Sequence, residues 1–197
     1  DAGRLSERIQ RVTMNVVETK LKDVLIIEPA VFEDARGFFM ETYHQRRYQQ
    51  AGVSATFVQD NLSRSVRHTL RGLHFQRKQP QAKLVQVLAG AVFDVAVDVR
   101  PDSITFGQWV GINLSADNRR QLFIPEGFAH GFCVLSDWAL FSYKCSALYA
   151  PEDEGGILWS DPGIGIDWPV TRPIITGKDA AFACLADLGR SQLPQMG

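Results

Sequence analysis

The clearest pattern in the chain is alternation. Between residues 93 and 99, Phe93, Val95, Val97 and Val99 fall on one face and Asp94, Ala96 and Asp98 on the other. This is the period-two signature of a β-strand. Short apolar runs of the same kind recur along the chain. Residues 24–27 form one, ended by Pro29. Residues 38–42 form another, after a polar turn over 32–37. Residues 56–61 read as strand and lead into a Ser/Arg-rich loop through His68. Further strands are predicted over 83–88, 106–114, 121–124, 128–135 and 138–146, with turn residues between them. Turn signals at intervals of roughly 8–12 residues predict an antiparallel sandwich or closed barrel.

Helix is predicted in only two places. Thr42 with Gln45 three positions on fits a capping box, and Gly52 fits the stop. A second helix is expected over 179–188, with Asp179 as its N-cap. No internal repeat or low-complexity linker divides the chain, so residues 14–197 read as one domain. Residues 1–13 are polar, lack an apolar signal core and precede Met14, which reads as a natural start. They are expected to be a disordered or appended extension.

Composition narrows the class. The chain has 197 residues, 45% of them hydrophobic, and a net charge of -1. That is enough for one domain with a substantial core. Near-neutral charge argues against bulk nucleic-acid binding. No apolar run reaches the length of a membrane span. Cys133, Cys145 and Cys184 are an odd number without metal-like spacing, which predicts reduced thiols in a cytoplasmic protein.

On a small barrel, alternate side chains point inward. Lys83, Asp94, His130 and Tyr143 fall on four separate predicted strands and so suggest a lined pocket, although any one of them could equally face water. His44, His68, His74 and His130 include no His-x-His pair of the kind that puts two ligands on one strand face. No metal is expected. His74, flanked by Leu73 and Phe75, would point away from both and could act as a base. By alternation alone Asp94 is the better-placed carboxylate partner for it. A histidine, a lysine and a tyrosine on neighbouring strands can run proton chemistry beside a carbonyl. The base takes a carbon-bound proton, the cation holds the enolate oxygen, and the phenol returns a proton to the opposite face. Arg36, Arg64, Arg67, Arg71 and Arg77 cluster before the β core and suggest an anionic substrate. Phe38 and Tyr149 could stack on a base.

Several motifs together resemble the dTDP-4-dehydrorhamnose 3,5-epimerase family. They are Arg36-Gly37-Phe38-Phe39, Phe57-Val58-Gln59-Asp60-Asn61, Arg71-Gly72-Leu73-His74-Phe75-Gln76 and Ile124-Pro125-Glu126-Gly127-Phe128-Ala129-His130-Gly131-Phe132. Phe106-Gly107-Gln108-Trp109-Val110-Gly111, Ile157-Leu158-Trp159-Ser160-Asp161-Pro162 and Gly165-Ile166-Asp167-Trp168-Pro169 fit as well, so the likeness runs from about residue 24 to 185. The resemblance implies an all-β, cupin-type jelly-roll barrel with a few short, mainly C-terminal helices. It implies a homodimer whose sites are shared between subunits, and neither metal nor cofactor.

By the same resemblance, His74 is the base, Tyr143 the acid and Lys83 the enolate-stabilising cation. Asp179 is the carboxylate that orients His74, and His130 packs against the sugar. Arg36, Glu41, Gln59, Asp60, Asn61, Arg71, Glu154 and Lys178 are nucleotide and diphosphate contacts. Tyr149 stacks on thymine, with Phe38 a further aromatic candidate. The family often has a tyrosine pair where this chain has Leu148-Tyr149. The implied reaction converts dTDP-4-dehydro-6-deoxy-D-glucose to dTDP-4-dehydro-L-rhamnose. Two other readings are a single-centre epimerase and a silent sugar-nucleotide binder. The binder would have no need of His74, Lys83 and Tyr143 together.

Overall fold

The computed structural model describes residues 14–196; the expected extension at 1–13 lies outside them. Strands β1 (Asn15–Glu18), β2 (Leu25–Glu28), β5 (Gln59–Val66), β7 (Lys83–Ala89), β10 (Gln121–Ile124) and β12 (Trp138–Cys145) form one sheet. Its order is β1-β2-β10-β7-β12-β5. Strands β6 (Leu70–Gln76), β8 (Ala91–Asp98), β9 (Trp109–Ser115), β11 (Phe128–Val134) and β13 (Glu154–Gly156) form the second, in the order β13-β6-β11-β8-β9. Neighbours within both sheets pair antiparallel. Strands β3 (Val31–Asp34) and β4 (Gly37–Met40) make a separate hairpin.

The two sheets face each other across a core of Val85, Val87, Val92, Leu114, Leu122, Phe132, Val134 and Phe141. Both outer faces are covered in part. Helix α1 (Gln45–Gln50) lays Tyr48 against Ile27, Leu84 and Phe123. The C-terminal segment lays Leu185 and Leu193 against Val95, Val97 and Val99. Strand β8 is therefore buried on both faces. Asp94, which alternation alone would allow to face water, has no exposed surface. Cys133, on the central strand β11, is buried too, and burial pushes its thiol up to about 11. All three cysteines are unpaired.

Several local expectations are corrected. Phe32 and Glu33 belong to β3, because they pair with Phe39 and Phe38 across the hairpin. The Ser/Arg-rich stretch after Asn61 is strand, not loop. Its polar residues pair along the whole of β12, from Gln59 opposite Cys145 to Val66 opposite Trp138. Helix α1 is capped by His44 rather than Thr42, its Nδ1 accepting from the Arg47 amide at 3.5 Å. Gly52, at φ +98, ends it as expected. The C-terminal helix shrinks to α2 (Gly177–Ala180), capped by Thr176, with a separate 3₁₀ turn at Leu185–Asp187. The cause is tertiary. The Leu185 amide is held by the Asp161 carboxylate at 2.7 Å, and the segment is spread over the sheet.

Candidate active site

The site lies between the sheets, where β6 and β11 face β7 and β12. Its geometry starts with two glycines. A Cβ on Gly72 would stand 2.6 Å from the Gly131 Cα, and one on Gly131 would stand 2.7 Å from the Arg71 carbonyl oxygen. Only glycine at both positions lets β6 and β11 approach this closely. The register between the two strands shifts at this point and leaves His74 directly opposite His130. Leu73 and Phe75 turn outward into the covering core, so His74 turns inward.

His74 Nε2 lies 2.9 Å from Asp179 Oδ1. Asp179 is not the N-cap of α2. It occupies the helix's first turn, its own amide donating to Thr176 Oγ1, and its carboxylate also accepts from the Gly72 amide at 3.2 Å. Burial alone would raise its pKa. The His74 bond and charge, the Gly72 amide and Lys178 outweigh that and hold it below the ordinary value. Asp179 is thus a carboxylate that only accepts, so Nε2 carries the hydrogen and Nδ1 is left free. The edge of Phe182 packs on the imidazole, with ring centroids 5.9 Å apart. Asp94, the partner expected from alternation, is not at His74. It binds His130 Nε2 at 3.0 Å. Burial drives both members of that pair toward their neutral forms.

The facing sheet supplies Lys83 and Tyr143. Lys83 opposes Cys145 in register, and Tyr143 sits two residues before Cys145, on the same face. Burial lowers the Lys83 pKa, against the pull of Cys145, Asp94 and Glu154. Burial and Cys145 raise that of Tyr143, with Arg71 opposing. Both therefore sit away from the values they would have in water. His74, Lys83, Tyr143, Gln59, Asn61 and Glu154 line one cavity of about 200 Å³. Glu154 accepts from Lys178 Nζ at 2.9 Å and from the Tyr149 hydroxyl at 3.1 Å, and its Oε1 is 4.0 Å from His74 Nε2. Among the described residues no group of three His, Cys, Asp or Glu side chains is arranged to hold a metal.

Other expected residues are not brought here within one chain. Arg36 lies at the exposed tip of the β3–β4 hairpin and pairs with Asp34 at 2.6 Å. Phe38 is exposed beneath the Arg119 guanidinium. Glu41 is paired with Arg47. Asp60 points away from Gln59 and Asn61 and binds Lys144 at 2.9 Å. Arg71, by contrast, stays close to the cavity, where its charge acts on Tyr143 while its Nε donates to the Ser65 hydroxyl at 3.0 Å. The arginine cluster read from the sequence is dispersed: Arg67 pairs with Asp137, Arg64 covers Trp138, and Arg77 binds the carbonyls of Glu152 and Asp153. Cys145 and Gln81 line the cavity and were not expected. For Cys145 the signal was available, since it follows Tyr143 at the strand period.

Two sheets closed over a polar cavity at one end make this a cupin-type jelly roll, and the groups gathered in the cavity suit an isomerase that moves protons. A family model described as dTDP-4-dehydrorhamnose 3,5-epimerase matches residues 18–187. The enzyme of that name from Salmonella typhimurium is 57% identical over 175 residues, 87% of this chain and 96% of the relative. That from Escherichia coli is 55% identical over 183 residues, 91% and 99% of the two chains. A crystal structure of the 3,5-epimerase from Legionella pneumophila, in complex with dTDP-4-keto-L-rhamnose, superposes with a TM-score of 0.90 at 50% identity. It covers 94% of this chain and 100% of that one. The chain belongs to the dTDP-4-dehydrorhamnose 3,5-epimerase family.

Proposed function

We propose that the protein epimerises dTDP-4-dehydro-6-deoxy-D-glucose at C3 and C5, giving dTDP-4-dehydro-L-rhamnose. The observation that carries the reading is one cavity in which a carboxylate-backed imidazole is gathered with a half-buried lysine and a half-buried tyrosine. The C4 ketone makes the hydrogens on both neighbouring carbons acidic. His74 Nδ1 takes one, and the electron pair moves to the ketone oxygen. Lys83 holds the resulting enolate. Tyr143 delivers its phenolic proton to the opposite face of the carbon; the phenolate then recovers a proton from solvent, and the imidazolium gives up its own to solvent before the next abstraction. Asp179 stabilises the imidazolium that forms. Each acid or base supplies about 10²–10⁴ in rate. One nitrogen serves both carbons, so the hexose has to turn between the two steps.

Gln59, Asn61, Arg71, Glu154 and Lys178 are assigned to the nucleotide and diphosphate, His130 to the sugar face and Tyr149 to the base. Arg36, Phe38, Glu41 and Asp60 do not line the cavity of their own chain, and we assign them to the site of a second copy in a homodimer. The exposed apolar residues Phe38, Phe39 and Leu62 on the hairpin and the edge strand β5 support this. Among the described residues no helix is long and apolar enough to cross a membrane. The three unpaired thiols support a cytoplasmic location. The test is proton NMR of the ketosugar nucleotide with the protein in D₂O. Loss of signal at both C3 and C5, abolished by His74→Ala, is expected. Loss at one carbon alone identifies a single-centre epimerase, and no loss at either refutes catalysis.

A further inference from the structure

Residues 147–150 lie between β12 and the 3₁₀ turn Pro151–Asp153, outside every strand, yet they carry Tyr149 at the mouth of the cavity. What holds them is three glutamine side chains from three different strands or strand ends. Gln81 Nε2 donates to the Ala147 carbonyl at 2.8 Å. Gln76 Nε2 donates to the Leu148 carbonyl at 3.2 Å and to the Gln79 carbonyl at 2.8 Å, while its Oε1 accepts from the Ala150 amide at 2.8 Å. Gln59 Oε1 accepts from the Tyr149 amide at 2.9 Å. Consecutive peptide groups of the segment are thus gripped one after another by carboxamides.

Gln76 is the centre of the arrangement. It is almost fully buried, and it stands two residues after His74 on the same strand and the same face. A glutamine both donates and accepts, and here both ends are used on one backbone. No apolar or charged side chain of that size can do the same.

We propose that Gln76, with Gln81, is a positioning residue for substrate selection: the glutamine clasp fixes Tyr149 at a set height above His74, and so measures the distance from nucleobase to reacting sugar. The inference rests on the assignment of Tyr149 to the base. Gln76 also lines the cavity, but both ends of its carboxamide are engaged by backbone, so its effect on nucleotide binding runs through Tyr149. Breaking the clasp leaves the base platform loose, and the cost falls on affinity rather than on proton transfer.

The test is a double-mutant cycle read by calorimetric binding of dTDP to the full chain. Gln76→Met keeps the volume and removes both ends of the carboxamide. It is expected to weaken dTDP binding about tenfold, as loss of a buried hydrogen-bonded group does. Deuterium wash-in to saturating ketosugar should stay within a few-fold of wild type. In a Tyr149→Ala background the same substitution should cost almost nothing further. Gln81→Met, which is only half-buried and does not open the core, should show the same dependence on Tyr149 at smaller size. Equal losses with and without Tyr149, or an unchanged affinity in a folded Gln81→Met protein, would overturn the clasp. Failure of the wild-type protein to bind dTDP would instead overturn the functional reading beneath it.

Discussion

Replacing Asp179 by Asn is the sharpest probe of the catalytic arrangement. The substitution keeps size and shape but removes a negative charge 2.9 Å from His74 Nε2. That charge matters most when the ring has taken a proton from carbon. Two unit charges about 4 Å apart attract by about 4 kcal/mol at an effective dielectric near 20. The His74 side chain is 27% exposed, and screening reduces this to about 3 kcal/mol. At 1.36 kcal/mol per decade that is a loss of about 10²-fold in kcat. The amide can also donate to Nε2, which would put the ring hydrogen on Nδ1 and deepen the loss. Binding of dTDP should be untouched. The assay is deuterium wash-in at C3 and C5 followed by NMR, with calorimetry for dTDP. Stability gives a second readout. The Asp179 pKa is lowered in the folded protein, so its contribution is present above the unfolded value of about 4 and is lost as pH falls through the folded one. Wild type and Asp179→Asn should therefore differ in Tm at neutral pH and converge in acid. A kcat within tenfold of wild type, or wash-in lost at one carbon and normal at the other, would refute the role.

Three further outcomes are expected. Tyr143→Phe should continue to wash in deuterium while net epimerisation falls by at least about 10², and equal loss of both would remove the phenol from its role. Lys83 must be charged to hold an enolate and its pKa is lowered by burial, so activity should fade on the alkaline side before an ordinary lysine would titrate; Lys83→Arg should move that limb upward in a rate–pH profile. Gly131→Ala would drive a Cβ to 2.7 Å from the Arg71 carbonyl oxygen and should cost about 1–3 kcal/mol in denaturant unfolding, with kcat falling as His74 shifts.

The β architecture was legible because it is written in local alternation. Val95 and Val97 against Asp94 and Ala96 announce a strand whatever surrounds them. What alternation could not say was which face would be dry, since the covering segment with Leu185 and Leu193 lies almost a hundred residues away. The same limit explains the two carboxylates. Strand phase points Asp94 toward His74, but β8 pairs edge to edge with β11, and from that neighbouring strand His130 is nearer. Asp179 carried no local sign of its role. Ahead of Ala180 and Ala181 it looks like any helix cap, and only the resemblance pointed to it. The true cap, Thr176, frees its carboxylate for His74. From sequence the stretch after Asn61 reads as loop, because Ser and Arg are weak strand signals. At an edge, pairing with β12 decides the matter instead.

Cys133 offers a use that follows from its place in the sheet. It stands on β11, held by β6 on one side and β8 on the other, with a thiol that burial keeps protonated. Alkylating reagents attack the thiolate, and they also need a path to the sulfur. Both conditions fail until the middle of the sheet comes apart. The rate at which iodoacetamide marks Cys133 would therefore time the parting of β11 from its neighbours, and would do so on unlabelled protein at working temperature.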